Sequence, residues 1–206
     1  GLDANGHFQA VALPQDDFAF TQLREGVQFR VNGVSKNLIF HAPDTVRVNA
    51  TLGENYWTAA SLVVTGRPQA VPFSISETPT TLTIVSQKLR IEVDKASGAL
   101  RFLDGQGRLY TNEQNDAPQT LKKVVISAAP TYEAQNTLTL HPDEAIYGFG
   151  FTADDNSNRR GKDLLLVQTN VGIIIPVMMS SRRYGILWDT YSQMRFKDGP
   201  DGASLW

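Results

Sequence analysis

The chain has 206 residues, with 19 Lys and Arg against 21 Asp and Glu for a formal net charge of -2, and 41% of its residues are hydrophobic. That composition can bury a sizeable core and excludes a disordered chain, and the lack of any Lys/Arg run removes the attraction that drives nucleic-acid binding. No cysteine is present, which excludes disulfides and thiolate metal sites and leaves the compartment open, with a periplasmic or extracellular bacterial setting favoured.

The N-terminal Gly1-Leu2-Asp3-Ala4-Asn5-Gly6 lacks an initiator Met and the charged-then-apolar pattern of a leader, and reads as a processed or engineered end. Beyond it, period-2 alternation takes over. Val46 and Val48 alternate with Arg47 and Asn49, Leu82 and Ile84 with Thr81 and Thr83, and Leu89, Ile91 and Val93 with Arg90, Glu92 and Asp94. A strand with one face on a core produces this pattern, because successive side chains point to opposite faces. Turn signals at Asp94-Lys95-Ala96-Ser97-Gly98 and Asp104-Gly105-Gln106-Gly107 divide Gln87 to Tyr110 into a three-stranded meander. Leu138 and Leu140 continue the alternation, His141-Pro142-Asp143 marks the next turn, and Lys197 to Gly202 marks the last. No window carries a 3.6-residue apolar stripe, so helix content should be low and one antiparallel β-sandwich is expected over residues 1–206.

The chemistry-bearing candidates lie late. Tyr147-Gly148-Phe149-Gly150-Phe151 alternates glycines with aromatics, a pattern for a sharp bend or a close backbone approach, and read alone it is a packed kink. Asp154-Asp155-Asn156-Ser157-Asn158-Arg159-Arg160-Gly161-Lys162 is polar and reads as a solvated loop; two adjacent Asp supply too few ligands for a metal. Leu164 to Val167 and Gly172 to Met179 flank Gln168-Thr169-Asn170-Val171 and are expected to pair as a hairpin. Its tip presents two amides and a hydroxyl, groups that suit sugar hydroxyls and equally suit an ordinary turn. The longest apolar run, Val171 to Met179, contains Gly and Pro and is far too short for a membrane span of about 20 residues.

Taken together, Tyr147-Gly148-Phe149-Gly150, Asn158-Arg159-Arg160-Gly161-Lys162, Ile175-Pro176 and Ser181-Arg182-Arg183-Tyr184-Gly185-Ile186-Leu187-Trp188-Asp189 resemble, in order and spacing, the N-terminal β-sandwich of glycoside hydrolase family 31. Weaker likeness extends upstream to Asp44-Thr45-Val46-Arg47-Val48 and to the meander Leu89 to Gly107. The resemblance implies a galactose-mutarotase-like supersandwich belonging to a retaining α-glycosidase of α-xylosides or α-glucosides. The expected hairpin and the Tyr184 to Ser192 run look most like the α-xylosidase branch. It further implies that both catalytic aspartates sit on a following (β/α)₈ barrel that these 206 residues do not contain. The chain alone should then be inactive, with no catalytic residue, cofactor or metal of its own, and should pack on the barrel of its parent chain. Gln168, Thr169 and Asn170, with Asn170 foremost, match the positions lent to the substrate site at the leaving-group side. Two departures stand out: Phe151 replaces the acidic or amide residue frequent after the second glycine, and a closing strand after Asp198 to Trp206 is missing, as though the sandwich stops before its last strand or receives an inserted module there.

Two other classes remain open on sequence. A free-standing carbohydrate-binding module would display aromatics such as Tyr56, Trp57, Trp188 and Trp206 on one face, although Trp188 also ends an apolar alternation as a core residue would. A mutarotase-like enzyme would need a His and a Glu as acid and base, and His7, His41 and His141 share no motif.

Overall fold

The computed structural model describes residues 18–56, 58–151, 157–170 and 172–206. His7, Trp57, Asp154, Asp155, Asn156 and Val171 lie outside the described residues. Among those described, every regular element is a β-strand and every ladder is antiparallel.

A four-stranded sheet runs in sequence order through β1 (Ala19–Gln22), β2 (Gly26–Val31), β3 (Val34–Ala42) and β4 (Thr45–Leu52). A ten-stranded sheet takes in β5 (Phe73–Glu77), β6 (Thr81–Ser86), β7 (Leu89–Asp94), β8 (Leu100–Asp104), β9 (Leu109–Glu113), β10 (Thr120–Ile126), β11 (Ala129–Thr139), β13 (Asp163–Leu166), β16 (Met194–Gly199) and β17 (Gly202–Leu205). A three-stranded sheet holds β12 (Ile146–Gly148), β14 (Val177–Ser180) and β15 (Gly185–Leu187). The expected meander is β7-β8-β9. Its corners close as the sequence requires: Asp94 Oδ1 accepts from Ala96 N at 3.1 Å and Ser97 N at 2.7 Å, and Asp104 Oδ1 accepts from Gln106 N at 2.8 Å and Arg108 N at 2.9 Å.

Two cores lie side by side. Val27, Phe29, Leu38 and Phe40 of the four-stranded sheet bury against Leu82, Ile84, Leu89, Ile91 and Val93 of β6 and β7. Ile146, Phe149 and Met178 of the three-stranded layer bury against Leu138, Leu166, Phe196 and Leu205 of β11, β13, β16 and β17. The long sheet is therefore one layer of a supersandwich, and the two shorter sheets cover its two halves.

Polar ties join the layers and the two halves. Lys36, on the same face of β3 as Leu38 and Phe40, is buried and donates from Nζ to Gly98 O at 3.1 Å and to Glu113 Oε2 of β9 at 3.4 Å. Arg47 of β4 pairs with Asp189 just after β15. Arg182 Nη2 donates to Leu109 O at 3.0 Å, and the rings of Tyr110 and Tyr184 meet at 6.2 Å.

Candidate functional site

The segment from Leu164 to Met179 departs from the simple hairpin. β13 pairs with β16 in the ten-stranded sheet, whereas β14 pairs with β12 and β15 in the three-stranded sheet. The two apolar runs therefore lie in different layers, and residues 167–170 and 172–176 belong to the crossover between them at the edge of the sandwich. The physical reason is that each run has a better partner elsewhere: Leu166 and Met178 bury in the second core from its opposite sides. Only the tip closes on itself. Thr169 N donates to Gly172 O at 3.2 Å, and Ile174 N donates to Gln168 Oε1 at 3.0 Å. Gln168 thus fastens the turn with its carbonyl oxygen, and Thr169 and Asn170 stand exposed at the apex.

The base of this tip is anchored by the glycine-aromatic segment. Gly148, Phe149 and Gly150 all have positive φ, at 114°, 63° and 82°. A Cβ at Gly148 would lie 2.2 Å from Val177 O, and one at Gly150 would lie 2.0 Å from Ile173 O. The glycines are needed because this backbone runs against the crossover itself. Phe149 N donates to Val177 O at 2.9 Å, and Phe151 and Ile173 exchange two backbone hydrogen bonds of 2.8 and 3.0 Å. Phe149 is fully buried between Phe196 and Trp188, with ring centroids at 4.7 and 6.0 Å, which offsets an unfavourable φ for an aromatic residue.

Residues 158–162 are not the solvated loop that their polarity suggests. Asn158 Oδ1 accepts from Ile146 N at 3.1 Å and Arg160 N at 3.2 Å, and the buried Arg159 donates from Nε to Gly148 O at 3.3 Å. Arg160 donates from Nε to Asp198 Oδ2 at 2.7 Å, and from Nη1 to His141 O at 2.8 Å and Glu144 O at 2.7 Å. These side chains replace backbone pairing that the irregular segment cannot supply. Behind them sits Glu144, a buried acid that the sequence reading passed over because nothing periodic surrounds it. Its Oε1 accepts from Ser180 Oγ and Tyr184 OH, each at 2.5 Å, and its Oε2 accepts from His141 N at 2.9 Å.

Burial first, and then the hydrogen bond to the Glu144 carboxylate, push the Tyr184 phenol above its ordinary value of 10. A folded-state pKa above the unfolded one contributes stability that is complete below pH 10 and is lost as pH rises beyond it, because the unfolded chain then ionises first. Tyr184→Phe should cost about 1–3 kcal/mol at pH 8 and flatten the alkaline decline above pH 10. Urea unfolding midpoints at pH 8 and 10.5 check this, and an unchanged alkaline slope in the variant contradicts it.

Three of the remaining candidates make structural contacts. Trp188 packs on Phe149, Trp206 lies beside Arg195, and His141 Nδ1 accepts from Asp143 N at 3.3 Å. The buried carboxylates Asp104, Glu113 and Glu144 and the ion-paired Asp189 and Asp198 are each bound to structural partners. Among the described residues no group of three or more His, Cys, Asp or Glu could hold a metal ion.

Beside the tip, the outer surface of the three-stranded sheet is apolar and, among the described residues, uncovered. Tyr147 pairs with Met179 and Val177 with Leu187, and Tyr147, Met179 and Leu187 are exposed, as are Phe151, Ile173 and Ile175 of the adjoining crossover. Residues in register on one face form a contiguous patch, and patches of this kind mark contact surfaces.

Comparison with known proteins gives a consistent picture. Residues 37–196 match the glycosyl hydrolase 31 N-terminal galactose mutarotase-like domain. An α-xylosidase of Saccharolobus solfataricus is 27% identical over 173 residues, which is 79% of this chain and 23% of that protein. The crystal structure of a family 31 α-xylosidase from Xanthomonas citri superposes with a TM-score of 0.79 at 22% identity, covering 87% of this chain and 20% of the other. A family 31 dextranase from Flavobacterium johnsoniae gives 0.74 at 22% identity, covering 93% of this chain and 24% of the other.

Proposed function

Since the chain belongs to the family of glycosyl hydrolase 31 N-terminal galactose mutarotase-like domains, we propose that it serves as the non-catalytic domain of a retaining α-glycosidase acting on α-xylosides or α-glucosides. It spans less than a quarter of each of the three glycoside hydrolases compared above, and their remaining length has room for a catalytic barrel of about 250 residues. The domain packs on that barrel through the face formed by Tyr147, Met179, Leu187, Ile173 and Ile175, and it carries Gln168, Thr169 and Asn170 to the leaving-group side of the substrate. The observation behind this reading is an exposed polar apex whose crossover adjoins an exposed apolar face: such a face suits a covering partner, and the apex lies at its margin.

Gln168 serves chiefly by holding the apex, and Asn170 by offering donor and acceptor to a sugar hydroxyl. In the longer enzyme that joins this domain to its barrel, Asn170→Ala should lower kcat/KM for α-linked oligosaccharides about tenfold, the size of one lost hydrogen bond. Unchanged kinetics on every oligosaccharide would remove the subsite role. The 206-residue chain alone should turn over neither aryl α-xylosides nor aryl α-glucosides. Micromolar sugar binding by the isolated chain in calorimetry would instead favour an independent carbohydrate-binding module.

A further inference from the structure

We propose that Phe151 is an aromatic platform for the sugar on the leaving-group side, and that it selects a pyranose whose ring C–H bonds line one face. The inference rests on the reading of the tip as part of a glycosidase substrate site.

Backbone geometry motivates it. In a regular strand residues 147, 149 and 151 would share one face. Here Tyr147 is exposed, Phe149 is fully buried, and Phe151 is 68% exposed. The three successive positive φ values at Gly148, Phe149 and Gly150 produce this alternation: they turn Phe149 into the core and return Phe151 to the surface. A left-handed φ on a buried aromatic is costly and persists only where the surroundings enforce it. The backbone that carries the exposed ring is fixed, because both polar groups of the Phe151 main chain are bonded to Ile173.

The location supplies the occupant. Phe151 pairs with Ile173, one residue beyond the Thr169–Gly172 closure, so its backbone lies at the end of the apolar face that adjoins the tip carrying Asn170. An exposed aromatic ring beside an exposed amide is the combination that recognises a sugar: the amide satisfies hydroxyls and the ring covers C–H bonds. Gluco- and xylo-configured pyranoses carry equatorial hydroxyls and present such a C–H face on either side of the ring, whereas furanoses do not match it. An acidic or amide side chain at position 151 would add hydrogen bonds without that preference.

The test uses the enzyme that carries this domain with its barrel, and two substrates sharing the same cleaved sugar: an α-linked disaccharide, and the α-glycosyl fluoride, which has no sugar on the leaving-group side. In Phe151→Ala the ratio of kcat/KM for disaccharide over fluoride should fall about tenfold, and Phe151→Tyr should restore it. An unchanged ratio overturns the inference and leaves the glycosidase reading intact. A parallel loss on both substrates with a lowered melting temperature also overturns it, and assigns Phe151 to barrel packing. Parent enzyme that turns over neither substrate overturns the glycosidase reading and this inference with it.

Discussion

Replacing Lys36 with alanine should cost about 3–5 kcal/mol of folding stability, among the largest effects of any single substitution in this chain. Lys36 and Glu113 have side chains only 3% and 4% exposed and bridge the two layers of the sandwich. Glu113 also accepts from Leu100 N at 3.0 Å and from Asn136 Nδ2 at 2.8 Å, so its carboxylate is ringed by donors, one of them charged. Removing the lysine leaves a desolvated carboxylate with neutral donors alone, the situation that makes breaking a buried pair expensive. The pair as a whole is a different matter, because desolvating two ions offsets most of their attraction. Lys36→Met combined with Glu113→Gln, which removes the charge and keeps an acceptor oxygen, should therefore recover most of the loss, in urea unfolding as well as in a melting temperature that falls on the order of 10 °C in the single variant. A double variant no better than the single one would mean that the network holds the layers by more than its charges. The pH dependence offers an independent check. Burial lowers the Lys36 pKa below its ordinary 10.5 despite the neighbouring carboxylate. Between the folded value and 10.5 the unfolded chain binds more protons, so this group makes stability rise with pH there, and Lys36→Met abolishes that contribution.

Much of the architecture was legible because period 2 is a direct consequence of strand geometry. Leu89, Ile91 and Val93 are buried as their alternation requires, and the acids at the two meander corners cap the turns that follow them. The polar tip was legible for the same reason, since Gln168 to Asn170 interrupts two apolar runs. Which sheet each run joins was not, because alternation reports that a face is buried and not what covers it. Leu164 to Leu166 finds β16 and Val177 to Ser180 finds β12 and β15, partners set by the whole topology. The buried charges were hidden in the same way. Lys36 occupies an inward position of β3 that chain-local reasoning assigns to solvent, and its partner lies 77 residues away. Arg160 reads as a surface residue until Asp198, 38 residues on, closes against it. Position 151 was visible as a departure from the family pattern, and its meaning emerged only with the three positive φ values before it.

Gly150→Ala should cost at least about 3 kcal/mol and release the crossover that carries the candidate site. Gly107 provides the control. Its φ of 81° nearly equals the 82° of Gly150, so both impose the same left-handed backbone on any replacement. A Cβ at Gly107 meets nothing within 4 Å, whereas at Gly150 it would lie 2.0 Å from Ile173 O and 2.9 Å from Ile175 N. Gly107→Ala should therefore cost only the conformational penalty, about 1–2 kcal/mol, and the difference between the two variants measures the clash alone. Ile173 O is also the acceptor for Phe151 N, so relief of the clash breaks the bridge that positions Phe151. Hydrogen exchange should show the Phe151 and Ile173 amides losing protection in Gly150→Ala, with the Ile91 and Val93 amides of the first core much less affected. Equal losses in the two alanine variants would mean that φ alone limits position 150. A larger loss at Gly150, confined to the crossover, would tie the geometry of the tip to this one close approach. Under the proposed function, activity of the longer enzyme on α-linked oligosaccharides should then fall with it, because Asn170 and Phe151 would lose their common support.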